Sequence, residues 1–313
     1  MFSFAQLEYA IALDTFQNFK RASEHCYVTQ PTLSMQIKKL EDSLGVILFD
    51  RSKMPVVTTD IGAAFVLQAR KILSERDKMQ ELIDVFNDQI QGELHLGVIP
   101  SIASHLLPLF IVELNSKYPD LKIFVHEMVT DQVVAGLKNE ILDVGILVTP
   151  ADYKQIDTMP LYYEEIGVYV SPDHPFYTLE NVPVERLQTH EMWMLKEGHC
   201  FRNQSLNLCG EDQNENHEKR FWFESSSIET LVKMVDLQGG FTLIPELMVQ
   251  SISPERRQQV KWMSGQPPVR EVSLATYRNF TKKRMVDVLV GTIREVLPEK
   301  MLEKKTGSVV EWQ

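Results

Sequence analysis

Residues 21–51 read RASEHCYVTQPTLSMQIKKLEDSLGVILFDR, and their local chemistry decides the fold of the first sixty residues. Thr29 suits a helix N-cap, because its hydroxyl can take a backbone N–H that the first turn leaves unpaired. Pro31 falls in that first turn, where its missing N–H costs nothing. Leu33, Ile37, Leu40 and Leu44 then recur at helical spacing, and Gly45 supplies the C-terminal stop. A short helix from about Phe19 to Cys26 precedes this one, and Tyr27 and Val28 make the turn between them. Residues 4–17 form a further helix with Phe4, Leu7, Ala10 and Ile11 on one side. After Gly45, VILFDRSKMPVVTT (46–59) reads as two short strands around a polar turn. Three helices followed by a wing predict a winged helix-turn-helix over residues 1–60.

Such a head places the N-terminal half of its third helix in the major groove of DNA. Gln30, Pro31, Thr32, Ser34, Gln36 and Lys38 would lie there, and Gln can pair bidentately with adenine. Lys38, Lys39, Arg51 and Lys53 suit phosphates. Charge alone would not suggest this. The 313-residue chain has a net charge of −11, and its first 60 residues hold six bases against seven acids. DNA affinity must therefore come from a local face.

Thr59 caps a long helix expected to run from about Asp60 to Ile90. Positions 61, 65, 68, 72, 75, 79, 82 and 86 alternate steps of four and three, and six of these eight are apolar, as in a dimerising seam. The alternative is a helix that packs on its own domain. From Gly92 the texture changes. Strands are expected at 93–99, 121–126, 143–148, 165–170, 192–195, 221–224, 241–244 and 272–277. Helices fit between them at 104–117, 129–138, 227–236 and 282–296, the signature of parallel α/β units. The tail KKTGSVVEWQ is expected to fray. The first residues carry no basic segment ahead of an apolar one, and no apolar run approaches a membrane span, so a cytoplasmic protein without membrane contact is expected.

The head resembles the LysR-type transcriptional regulators. Ala22, Val28, Thr29, Gln30, Pro31, Leu33, Ser34, Gln36, Ile37, Leu40, Glu41, Leu44, Gly45, Leu48, Phe49 and Arg51 all match the family pattern at fixed spacing. The resemblance implies a regulator that binds double-stranded promoter DNA. It also implies an oligomer, a homodimer through the linker helix (61–91) and then a homotetramer, with RNA polymerase as a further partner. The regulatory domain, 92–305, would hold two α/β subdomains resembling periplasmic binding proteins. The first would comprise 92–163 and 268–305, the second 164–267, with the tail at 306–313.

Three cysteines, Cys26, Cys200 and Cys209, are too few for a structural disulfide framework. Cys26 reads as a small apolar residue. The other two lie within a stretch, MLKEGHCFRNQ followed by a cysteine nine positions on and then SIETLVKMV, that resembles the peroxide-sensing members of the family. That resemblance extends to LEYAIAL, QPTLSMQIKKLEDSLGV and LHLGVIPS, so it spans nearly the whole chain. It implies Cys200 as the thiol that peroxide oxidises and Cys209 as its resolving partner, with Ser101 and Thr130 across the cleft. His199, Arg202, Asn203 and Gln204 would support the peroxide site. Two positions depart from the family: Asn203 replaces the usual Asp, and Ser101 the usual Thr. His199 and Arg202 could favour the reactive thiolate if they turn inward. If 201–208 is helical, the two cysteines lie roughly 13 Å apart at 1.5 Å per residue, whereas a disulfide needs Cα atoms within about 7 Å. Local refolding would have to accompany the bond.

Other readings stay open. The cleft could take a metabolite, with the cysteines incidental. His199, Cys200, Cys209 and His217 could hold zinc, although the usual close cysteine pair is missing. A thiol peroxidase is a third, but nothing suggests turnover, and a regulator rather than an enzyme is expected. No cofactor is implied. Trp193, Phe221, Trp222 and Phe223 read as core.

Overall fold

The computed structural model describes residues 2–86, 90–149, 153–209, 223, 225–278, 280, 282–303 and 308–310. These form two compact units, one centred on residues 2–86 and one on residues 90–310.

The first unit opens with α1 (Phe4–Phe16), capped by a reciprocal box between Ser3 and Gln6. Then come α2 (Phe19–His25) and α3 (Gln30–Leu44). Thr29 caps α3, accepting the Thr32 N–H, and Gly45 ends it at φ +69°. Leu33, Ile37 and Leu40 are fully buried against Ala10, Leu13 and Ala22. Strands β1 (Phe49–Asp50) and β2 (Val57–Thr58) pair antiparallel as the wing. Helix α4 (Asp60–Phe86) follows, capped by the Thr59 hydroxyl on the Gly62 N–H.

The first half of α4 packs on its own head. Val66, Ala69 and Leu73 are buried, and Arg70 and Arg76 pair with Asp14 and Glu8 of α1 at 3.5 and 2.6 Å. Phe65, expected in the dimer seam, instead packs against the head's apolar core. Ile61, Ile72 and Met79, also seam positions, are exposed. The side chains of Leu82 and Phe86 lie outside the described set.

The second unit is built on a nine-stranded sheet. Its elements run β3 (Gly92–Val98), α5 (Pro100–Lys117), β4 (Leu121–Glu127), α6 (Thr130–Lys138), β5 (Val144–Thr149), β6 (Ile156–Val170) and β7 (Asn181–Val182). There follow α7 (Cys200–Leu208), α8 (Ile228–Gln238), β8 (Phe241–Pro245), β9 (Val260–Met263), β10 (Pro268–Tyr277), α9 (Lys283–Val296), α10 (Glu299–Leu302) and β11 (Ser308–Val309). Strand order is β4-β3-β5-β10-β6-β9-β7, with β8 on β6 and β11 on β10.

Parallel pairing holds only for part of this sheet. β3 is parallel to β4 and β5, as the intervening helices require, but β10 runs antiparallel to both β5 and β6. The sheet is therefore mixed rather than made of parallel units alone. β6 is one continuous 15-residue strand. Its first part pairs with β10 and its last five residues, Ile166–Val170, pair with β8, so one strand runs through both halves of the unit. The segment at 192–195 is not a strand; Met192 and Leu195 make isolated bridges to Phe241 and Ser225. Of the stretch at 221–224 only Phe223 is described. The tail is also corrected. Ser308–Val309 pairs parallel with Pro268–Val269, and Val310 is buried in an apolar cluster.

Gly62, in the first turn of α4, lies tight against the backbone that leads into the wing. A Cβ there would lie 2.1 Å from the Leu48 carbonyl oxygen. Gly62→Ala should therefore destabilise the head by about 1–3 kcal/mol or more. Calorimetry of the full chain should show the head's transition moving down while that of the second unit stays in place.

Candidate functional site

Cys200 is the first residue of α7, a nine-residue helix, and Cys209 is its C-cap. Both thiols are free and buried, in different surroundings. Cys209 belongs to an apolar cluster that also holds Met192, Phe201, Leu231 and Met248, with its Sγ 3.8 Å from the Met192 sulfur. Burial pushes its thiol up to about 12. Cys200 is also pushed up by burial, but a set of groups opposes this. The largest opposing influence is the Arg270 guanidinium; the Thr130 hydroxyl and the backbone N–H groups of Phe201 and Cys200 follow. These N–H groups belong to the open end of α7, which favours negative charge.

Arg270 was not among the residues legible in sequence as part of this site. It is 1% exposed and enters from β10. Its Nε donates to Glu164 Oε1 at 2.7 Å, its Nη1 to Ser101 Oγ at 3.1 Å and its Nη2 to the Ser101 carbonyl at 3.0 Å. Its guanidinium carbon lies 5.0 Å from the Phe201 ring centroid. Glu164, fully buried on β6, also accepts the Leu247 N–H at 3.0 Å. A buried ion pair survives only when its remaining hydrogen-bonding groups are satisfied, and here they are.

The other expected residues divide. Thr130, the first residue of α6, is buried and acts on Cys200 through its hydroxyl. Ser101 is buried, and its hydroxyl accepts from Arg270. His199 is buried with no hydrogen-bond partner at Nε2, and burial lowers its pKa, aided by Lys196, so at neutral pH it brings no positive charge. Arg202 does not turn inward either. Its Nη1 donates to the Leu195 carbonyl at 2.9 Å, fastening the turn that leads into α7. The charge these two neighbours would bring if they turned inward comes instead from Arg270. Asn203 is exposed on α7, whereas Cys200 and Gln204 are buried. Gln204 is fully buried, and its Nε2 donates to the Val310 carbonyl at 3.1 Å. Tyr153 is a further group near the thiol: its hydroxyl is pushed up to about 12 by burial, then Asp131, then Cys200.

His217 lies outside the described residues, and among those described no cluster of three or more His, Cys, Asp or Glu side chains is placed to hold a metal. Trp193 donates its indole N–H to the Gly239 carbonyl at 2.9 Å, a packing role. Phe223 packs on the same cluster as Cys209, while Phe221 and Trp222 lie outside the described residues. Cys26 is half-buried against the head core, and burial, then Glu8, pushes its thiol up to about 11. No described helix is long and apolar enough to cross a membrane.

On the head, Gln30, Pro31 and Lys38 are exposed on α3, and Thr32 and Ser34 are partly exposed. The Gln36 amide oxygen accepts from Gln6 at 3.3 Å, so part of its capacity is used within the domain. Glu41 carries a role that sequence spacing did not reveal. Nearly buried, its carboxylate accepts the N–H groups of Leu48 and Phe49 at 2.9 and 3.1 Å and the Arg51 guanidinium at 2.6 Å. Arg51 also lies over the Phe19 ring at 5.3 Å. It is thus a clamp between α3 and the wing, and Lys53, beyond it at the wing tip, is exposed.

Two family models match the chain. Residues 4–63 match the bacterial regulatory helix-turn-helix protein of the lysR family, and residues 87–298 match the LysR substrate binding domain. The hydrogen peroxide-inducible genes activator of Haemophilus influenzae is 37% identical over 265 residues, covering 84% of this chain and 85% of that protein. The DNA-binding transcriptional dual regulator OxyR of Escherichia coli K12 is 37% identical over 254 residues, 80% of each chain. A full-length OxyR variant from Pseudomonas aeruginosa superposes with a TM-score of 0.77 at 32% identity, covering 95% of this chain and 99% of that one. With both domain models matched in order and the likeness to OxyR running through most of its length, the chain belongs to the LysR family of bacterial transcription regulators.

Proposed function

We propose that this regulator senses hydrogen peroxide at Cys200 and passes the signal on through a disulfide with Cys209. The observation that carries the reading is the fixed Arg270 guanidinium beside a buried thiol at the start of a helix whose far end holds a second buried thiol. The Cys200 thiolate attacks one peroxide oxygen, the O–O bond breaks, and hydroxide leaves to be protonated as water. The resulting sulfenic acid is attacked by Cys209; the S–S bond forms and the hydroxyl departs as a second water. One peroxide is reduced and two thiols are oxidised. Arg270 and the N–H groups of α7 offset the charge of the thiolate and of the departing hydroxide. Ser101 holds Arg270, the buried Thr130 hydroxyl favours the thiolate, and the unpartnered His199 Nε2 and Gln204 Oε1 are available to a polar oxidant.

Nine residues of helix hold the cysteines roughly 13 Å apart along the axis, beyond the about 7 Å a disulfide tolerates. Forming it unwinds α7 and draws Cys209 out of its apolar cluster. That change alters an oligomer's grip on promoter DNA. The exposed Ile61, Ile72 and Met79 of α4 supply the apolar contact for a dimer, and a tetramer follows from a second contact between regulatory domains. Gln30, Pro31, Thr32, Ser34 and Gln36 read base edges, with Lys38, Lys53 and Arg51 near phosphates, and RNA polymerase is recruited at the promoter. The protein acts as a cytoplasmic activator, not as an enzyme.

Three measurements check this. Mass spectrometry after a brief low-peroxide pulse should show a thiol-reversible Cys200–Cys209 bond, absent in Cys200→Ser; a metabolite shifting DNA binding with no such bond would falsify the reading. Because burial raises the Cys200 pKa, its oxidation rate should climb with pH through neutrality. Replacing Glu164 and Arg270 together by Gln and Met, so that no buried carboxylate is stranded, should slow oxidation at pH 7 by about tenfold or more and shift the profile to higher pH. On DNA, Lys38→Ala should weaken binding to all sequences and reduce the salt slope by about 0.9, whereas Gln30→Ala should weaken the specific site alone; equal loss on specific and random DNA for Gln30→Ala removes it from the groove.

A further inference from the structure

The last described residues are tied to the redox helix. Ser308 and Val309 add a short parallel strand beside Pro268 and Val269, and the Val310 N–H donates to the Val269 carbonyl at 2.9 Å. The Val310 carbonyl in turn accepts from Gln204 Nε2 at 3.1 Å. Gln204 lies in the middle of α7 and is fully buried, so this bond is shielded from water. The Val310 side chain enters the same apolar cluster that holds Phe201 and Cys209. Two independent contacts, one polar and one apolar, therefore join this segment to the helix between the two thiols.

We propose that residues 308–310 form a strap that is fastened in the reduced protein and released by the Cys200–Cys209 disulfide. This rests on the thiol-switch reading above. Unwinding α7 carries the Gln204 amide away from the Val310 carbonyl, and withdrawal of Cys209 opens the cluster around the Val310 side chain. Both holds are lost in one event. The two-residue strand left behind has too few bonds to persist, since short pairings are marginal without a packed face. Release then uncovers the Pro268–Val269 end of β10, the strand that also carries Arg270. The strap thereby couples the state of the thiols to the Pro268–Val269 end of β10 and to the part of the apolar cluster that Val310 fills.

Hydrogen exchange of the full chain, followed on C-terminal peptides with the intact mass recorded in parallel, tests this. The reduced protein should protect the Val310 amide, and peroxide-treated protein should exchange it about tenfold or more faster as the intact mass loses two hydrogens. Reduced Gln204→Leu should show faster exchange at Val310 without any change in thiol count. If the disulfide forms and Val310 stays protected, the strap is wrong and the switch stands. If no disulfide forms, both fall. An unchanged Val310 amide in Gln204→Leu overturns the clasp.

Discussion

A guanidinium that cannot reach water has to find every partner inside the protein, and the arrangement of the second unit follows from how Arg270 does so. Glu164 supplies the counter-charge from β6, Ser101 supplies hydroxyl and carbonyl from α5, and Phe201 lies against the planar face from α7. These elements are far apart in sequence. Leaving either ion without the other would strand a buried charge at a cost of about 3–5 kcal/mol. The pair therefore fixes the start of α5, the two long strands and the start of α7 relative to one another. Cys200 is placed in the field of this group, not in that of its sequence neighbours.

The same arrangement explains why two thiols nine residues apart differ. Cys209 has only apolar company and a sulfur neighbour, so nothing offsets its desolvation. Cys200 is buried to the same degree but has a cation, a hydroxyl and two N–H groups working against that burial. The chemistry is thus graded along one short helix by what each end touches.

Much of the head was legible in sequence because its signals are local. The Thr29 cap, the Leu33, Ile37 and Leu40 face and the Gly45 stop each depend on residues within a few positions. What escaped depends on pairing across distance. Arg270 lies 70 residues from the thiol it influences, with no local feature to mark it. The antiparallel setting of β10 depends on which strands flank it, and its own residues carry no sign of direction. The tail reads as polar and terminal, yet Val310 is held by partners at 204 and 269. Arg202 shows the converse. Closeness in sequence to Cys200 suggested a charge on the thiol, while the backbone of the turn offered it the Leu195 carbonyl instead. Phe65 similarly fits a heptad but satisfies its burial within its own head.

The clamp made by Glu41 has a consequence for how such a head can diversify. The carboxylate fixes the wing through the backbone N–H groups of Leu48 and Phe49, and the Arg51 contact lies on the same acid. The tip beyond, at Ser52, Lys53 and Met54, is exposed, with Met54 almost wholly so. The pose of the wing is therefore encoded at its base, and the residues at the tip carry little of the folding information. Substitutions there can accumulate as neutral drift without α3 losing its alignment with the wing. The contacts that fix the hairpin and its free surface belong to separate residues, which leaves its sequence free to evolve at one end while the other is held constant.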